Sequence, residues 1–316
     1  MSTLYIVGNG FDSHHELRTS FLHFKKYLSE NIPSDMERLR ECFEVYIDEF
    51  DENDWNDFER LLYKCQDALV RNLYEFEEQK YEDDTRAFMS VLYRVKGELL
   101  YRWLFNIEKS IVKTPADYNL EINVNDSFFI TYNYTSTLEC VYKVPEYRVL
   151  HIHGDYKKIK SNYYEYFKTR FSNSPDYEDF TLWTTVSDEI LLGSKFDDTD
   201  IIIDNLEKER EHIGDLLHDL NLVAGKDISD RLDVIEEFIE GKNISKIVIL
   251  GHQYYGVDEF YYKDLFIPRF KDAQWEIYTY TEDDKKQFEK LKSTNEIKKL
   301  VSSEWPDYNK NRWYRA

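Results

Sequence analysis

Leu4-Tyr5-Ile6-Val7-Gly8-Asn9-Gly10-Phe11-Asp12 is a short apolar run that stops at Gly-Asn-Gly and passes at once into polar sequence. The pattern predicts a first β-strand that turns through a glycine loop into a helix. In α/β sheets such a turn lies at the carboxyl end of a strand, where ligands bind. Glycine lets the backbone adopt φ > 0 and come close to a bound group, and loop N–H groups favour phosphate. Gly8, Asn9, Gly10 and Phe11 are therefore candidate nucleotide contacts. The third glycine of the full dinucleotide fingerprint is absent, so the motif is read with the rest of the chain.

Outward from this turn, strands and helices alternate. Ser127 to Tyr132 predicts a strand running into the polar turn Asn133-Tyr134-Thr135-Ser136-Thr137-Leu138-Glu139. Arg148 to Gly154 is a short strand ending in His-Ile-His-Gly, and Lys246-Ile247-Val248-Ile249-Leu250-Gly251 is a continuous buried run. Further strands are expected at 189–192 and 275–280. Helical spacing covers 36–111, 201–222, 228–239 closed by Gly241, 259–270 capped by Asp258, and 282–300. Asp54 to Glu59 reads as a helix start anchored by Trp55, and residues 155–185 as a long aromatic loop. The fold class is α/β: a mostly parallel, Rossmann-like sheet with helices on both faces and a large helical insertion. The expected organisation is a core of residues 1–35 and 120–300, an insertion of 36–115, and a tail of 301–316.

Composition narrows the function. The 316 residues carry 62 acidic and 41 basic side chains, a net charge of −21. Such a surface repels polyphosphate, which argues against nucleic acid as a partner. Cys42, Cys65 and Cys140 are far apart and form no CxxC, so neither a disulfide framework nor a zinc module is expected. There is no signal-peptide pattern and no run near the ~18 apolar residues of a membrane span. The expectation is a soluble cytoplasmic protein without a membrane partner; self-association stays open.

The loops leaving the four clearest strands should open on one edge of a parallel sheet. His153 ends a strand beside a glycine and can act as a base or orient a hydroxyl. His151 shares its parity and is expected on the same face. Asn133 can hold a water or a ribose hydroxyl, or can simply cap the following helix. Asp12 is a carboxylate for a ribose hydroxyl, a general base, or a helix cap. Thr131, Gly251 and His252 complete the candidate cofactor contacts. His14 and His15 are adjacent on a helix and so face apart, which argues against a metal site.

As an ordered set, Gly8 to Asp12, Trp55 with Phe58-Glu59, Phe129 to Thr135 with Leu138-Glu139, His151 to Gly154, and Leu250 to His252 with Asp258 resemble the AbiH family of bacterial abortive-infection proteins acting against phage. A more distant similarity is to sirtuins and the sirtuin-like NAD hydrolases of phage defence. Gly8-Asn9-Gly10, Thr131-Tyr132-Asn133 and His153-Gly154 resemble their ordered loops. That resemblance implies a sirtuin-like sheet with NAD as substrate or ligand. Asn133 would hold the ribose or the attacking water, His153 would contact ribose hydroxyls or act as base, and Asp12 would supply negative charge. The four-cysteine zinc module of deacylating sirtuins is missing, and Thr135 stands where their aspartate follows the asparagine. No metal is expected, and NAD cleavage fits better than deacylation. The alternatives are a nucleotide-binding sensor without turnover and a metal-dependent nuclease. A phage-derived component is the expected trigger.

Overall fold

β-Branched and aromatic residues dominate the strands, as segments buried on both faces require. In chain order the strands are β1 (Ser2–Val7), β2 (Ser127–Thr131), β3 (Val149–His151), β4 (Ile244–Leu250), β5 (Gln274–Thr279) and β6 (Lys299–Glu304). They form one sheet in the order β3-β2-β1-β4-β5-β6, with every neighbouring pair parallel. This is a Rossmann-like, doubly wound order whose winding reverses between β1 and β4. The computed structural model describes residues 2–47, 50–51, 99–111, 120–157, 228–254, 258–294 and 296–305, with single positions between 61 and 88.

The described helices are α1 (Asn9–His14), α2 (Phe21–Asn31), α3 (Pro33–Tyr46), α4 (Leu100–Ile111), α5 (Thr137–Tyr142), α6 (Ile228–Ile239), α7 (Ile267–Phe270) and α8 (Glu282–Ser293). A π-helical turn, Tyr261–Phe266, leads directly into α7. The chain divides into two units. The first holds Met1–Thr19, Leu104–Asp155 and Ser229–Ala316, and contains the whole sheet; the second holds Ser20–Trp103 and Tyr156–Ile228. Residues 20–35 fall in the second unit. In the second unit Ser20 caps α2 by accepting the His23 N–H at 3.4 Å, and Phe24, Leu28, Leu39 and Phe43 are buried. The strand at 189–192, the helix at 201–222, the aromatic loop from 158 onward and the Asp54–Glu59 segment lie outside the described residues.

Alternation along the strands sends side chains into two separate cores. Leu4, Ile6, Ile130, Ile247, Ile249 and Ile277 meet α6, the π-turn, α7 and α8 on one face. Tyr5, Val7, Phe129, Val248 and Leu250 meet Phe11 of α1, Leu138 of α5 and Trp305 on the other. The strand ends are level: Val7 pairs with Thr131 and Leu250, and Thr131 pairs with His151. The ladder runs one residue further through Tyr132 N–H to Val7 O (2.9 Å), Ile152 N–H to Thr131 O (3.0 Å) and Gly8 N–H to Leu250 O (3.0 Å). The four exit loops therefore begin at one height on one edge.

Two elements differ from the sequence reading. The helix expected to reach residue 300 ends at Ser293, and Lys299–Glu304, across the start of the expected tail, form a sixth strand, β6. Its sequence Lys-Leu-Val-Ser-Ser-Glu is polar and mostly exposed because it is an edge strand, so its apolar alternation is faint. The helix expected at 259–270 is not α-helical throughout. Its π-turn puts the adjacent Tyr261 and Tyr262 both into the core.

At the switch point the loops after β1 and β4 pack backbone against backbone. Gly10 N–H donates to Gly251 O at 2.8 Å. Gly251 has φ +60, and a Cβ there would sit 2.6 Å from Gly10 Cα and closer still to Phe11 N. A Cβ on Gly10 would lie 2.7 Å from Gly251 Cα. Gly241 has a similar φ of +69 but open space around it. Gly241→Ala is therefore expected to cost about 1–2 kcal/mol from φ alone. Gly251→Ala adds overpacking of about 1–3 kcal/mol. Urea unfolding of both variants checks this; equal losses would show that the loop contact tolerates a methyl group.

Candidate functional site

The buried polar residues near the exit loops fall on the two faces of the sheet. Asp12 lies on the α1–α5 face, 1% exposed. Thr135 Oγ1 donates to its Oδ2 at 2.6 Å and Thr137 Oγ1 to its Oδ1 at 2.8 Å. Burial, only partly offset by these hydroxyls, lifts its pKa to about 6. Asp12 sits within α1, whose N-cap is Gly8, so it is not a helix cap. It ties α1 to the β2 exit loop, and both oxygens are engaged there.

The same face carries His151. Its Nδ1 lies 2.8 Å from Asn133 O and its Nε2 2.9 Å from Glu139 Oε1. A carbonyl and a carboxylate only accept, so both ring nitrogens donate and the ring is an imidazolium. Burial opposes that charge, but the hydrogen bond and charge of Glu139 outweigh it and raise the pKa. Nearby, Glu108 accepts the Ser136 N–H at 2.8 Å and also its hydroxyl, holding the start of α5.

His14 and His15 are structural on this face too. Trp305 Nε1–H donates to His14 Nδ1 at 2.7 Å. Phe11 O is an acceptor 2.7 Å from His15 Nδ1, so that nitrogen donates and Nε2 accepts the Tyr142 hydroxyl at 2.8 Å. The neutral ring this requires agrees with a pKa lowered to about 4, chiefly by burial. Phe11 itself is fully buried, in ring contact with His15 and Tyr142. Its side chain is part of the core on this face. Among the described residues no group of three or more His, Cys, Asp or Glu could hold a metal ion.

The opposite face holds a different cluster. Tyr132 stacks on the His252 ring with centroids 3.8 Å apart and meets His153 edge-on at 5.4 Å. His252 Nδ1 lies 2.7 Å from Tyr262 Oη, and its Nε2 lies 3.3 Å from Asp258 Oδ2. Burial holds the hydroxyls of Tyr132 and Tyr262 well above the ordinary phenol range, and Asp258 adds to this in both. Both stay protonated. His153 thus keeps different company from His151, against the shared-face expectation. β3 ends at His151, and a turn closed by Gly154 N–H to His151 O (3.2 Å) intervenes.

Asn133 stands between the two clusters. Its N–H donates to Thr131 Oγ1 at 3.1 Å, its carbonyl takes the His151 proton, and its Nδ2 donates to Gly8 O at 3.0 Å. Among the described residues its Oδ1 has no hydrogen-bond partner. Thr131 thus shapes the loop. Gly8 is the meeting point: Asn133 holds its carbonyl, and a Cβ on Gly8 would lie 2.7 Å from His252 Cα. The amides of Gly8, Gly10 and Phe11 donate to Leu250 O, Gly251 O and Gly8 O. Asn9 is exposed and accepts the Thr19 hydroxyl at 2.5 Å.

The structure therefore brings Gly8, Asn133, Gly251, His252 and, through Tyr132, His153 together, and leaves Asp12 and the Phe11 ring on the other face. Tyr132, Tyr262 and Asp258 were given no role, or only a cap, in the sequence reading. The signal for them was the Tyr261-Tyr262 pair shortly after His252, which an α-helical period does not put on one face. A cavity of about 540 Å³ beside Lys242, Asn243 and Arg269 lies at the amino end of β4, with the length of the strand between it and the exit loops.

Residues 4–280 match the family model for bacteriophage abortive infection AbiH. The chain belongs to the AbiH family. It is thus a bacterial abortive-infection protein, and the match includes Asp12, Asn133, His151, His153, His252 and Asp258. No curated protein and no solved structure matches it. No helix among the described residues is long and apolar enough to cross a membrane.

Asp12 has a pH signature. Unfolded, it releases its proton near pH 4; folded, it keeps it to about pH 6. Between these values the folded state binds more protons, so this contribution is full below pH 4 and is lost as pH rises through 6. A shift of this size corresponds to about 3 kcal/mol. The stability of wild type relative to Asp12→Asn is expected to fall by that order between pH 4 and pH 7. A constant difference in urea unfolding across the window would refute the burial argument.

Proposed function

We propose that this AbiH-family chain acts by cleaving NAD+ at the bond between nicotinamide and ribose. The observation that supports it most is the meeting of Asn133 and His252 on Gly8, with His153 reached through Tyr132. This is the switch point, where open α/β sheets take nucleotides.

Asn133 is held by three hydrogen bonds, and its Oδ1 suits a ribose hydroxyl or the attacking water. In the proposed step the C1′–N bond breaks and nicotinamide leaves with the bonding pair. The water oxygen bonds to C1′, and its proton passes to His153. Because the Gly8, Gly10 and Phe11 amides are bonded within the protein, pyrophosphate contact falls to the exposed Asn9 end of the loop.

The oxocarbenium-like state gains from nearby negative charge. Asp12, engaged on the opposite face, does not offer its carboxylate to this edge. That observation favours a second reading, nucleotide binding without turnover. It also weakens a metal-dependent nuclease built on Asp12, whose oxygens are both taken by threonines.

Incubation of the purified protein with NAD+, alone and with phage-infected lysate, tests the proposal by chromatography of free nicotinamide and ADP-ribose. Asn133→Ala and His153→Ala are each expected to lower release by about 10²-fold or more while keeping the fold. Nucleotide binding without release under either condition would transfer the site to the sensor reading.

A further inference from the structure

We infer that Tyr132 and Asp258 form a recognition site for a ligand hydroxyl, seated on the two sides of His252. Two buried polar atoms there, Tyr132 Oη and Asp258 Oδ1, have no hydrogen-bond partner among the described residues. Both border one imidazole: Tyr132 stacks on His252 at 3.8 Å, and Asp258 Oδ2 is 3.3 Å from His252 Nε2. Leaving such atoms unpaired inside a protein is costly, and native structures rarely do so without a reason.

The surroundings are built to hold these groups. His252 engages the other oxygen of Asp258 and, through Nδ1, the Tyr262 hydroxyl at 2.7 Å. Tyr262 is placed by the π-turn Tyr261–Phe266, and π-turns occur often at functional sites. The backbone of His252 is pressed against Gly8, where a side chain would collide.

The chemistry of the two open atoms selects the ligand. Asp258 Oδ1 only accepts, while the Tyr132 hydroxyl can donate and accept. A phosphate or carboxylate would be repelled by Asp258. An ammonium ion would satisfy Asp258 but leave the Tyr132 proton unused. A hydroxyl group donates to Asp258 and accepts from Tyr132, so both are satisfied. The identification of that hydroxyl as a ribose hydroxyl rests on the nucleotide reading above; the preference for a hydroxyl does not.

The probe is ADP-ribose, which carries ribose hydroxyls but no nicotinamide bond, so binding is read without turnover. Calorimetry is run on the full-length wild type, Tyr132→Phe and Asp258→Asn, with thermal unfolding of each protein unliganded. The expected result is at least tenfold weaker binding in both variants. The unliganded unfolding temperature of Tyr132→Phe should be unchanged or higher, because it loses only an unpaired hydroxyl. Unchanged affinity with a lowered unfolding temperature would overturn the proposal and leave a resident buried water as the partner of Tyr132. Unaltered nicotinamide release in Tyr132→Phe, with equal ADP-ribose affinity, would overturn this site and spare the cleavage reading. Absence of ADP-ribose binding to wild type would overturn the ribose assignment, while nicotinamide release judges cleavage separately.

Discussion

Backbone contact between the loops after β1 and β4 governs the arrangement of everything at the carboxyl edge. In a doubly wound sheet these neighbouring strands send their chains to opposite faces, and the gap between them is the usual ligand crevice. Here Gly8 and Gly10 close against Gly251 at distances that exclude a Cβ on either side. The contact seats His252 over Gly8, and the Tyr132 ring then has a flat partner at 3.8 Å. His153, Asp258 and Tyr262 are arranged around that pair.

The two faces do different work. On the α1–α5 face Asp12 is held by two threonines, Glu108 by Ser136, and His151 by a carbonyl and by Glu139, whose other oxygen, Oε2, is buried without a partner among the described residues. This layer fixes the loop from Asn133 to Thr137 and so fixes the Asn133 carboxamide. On the opposite face the rings are tightly packed, but a phenol and a carboxylate oxygen lack partners. Satisfied networks rigidify, whereas unsatisfied buried groups cost stability and tend to survive where a ligand uses them.

Much of this arrangement was legible in the residues. The Gly-Asn-Gly turn, the apolar run Ile247 to Leu250 and the His-Ile-His-Gly loop each marked a strand end by local pattern. The parallel sheet followed from their alternation with helices. β6 was not legible, because an edge strand needs little apolar alternation. The π-turn was not legible either, because periodicity analysis presumes 3.6 residues per turn. The partners of Asp12 were not legible, because a carboxylate just after a glycine loop reads the same whether it faces a ligand or two buried hydroxyls.

Sequence alone established the class of fold and the loops that carry polar chemistry. Those properties depend on spacing of apolar residues and on glycine, which act within a few positions of the chain. Only the tertiary structure decided which face each polar side chain joins, how His151 and His153 part company, and that Tyr132, Asp258 and Tyr262 surround His252. Those outcomes depend on strand register, on where a strand stops, and on contacts between residues more than a hundred positions apart, such as Asn133 with Gly8 and His252 with Tyr132.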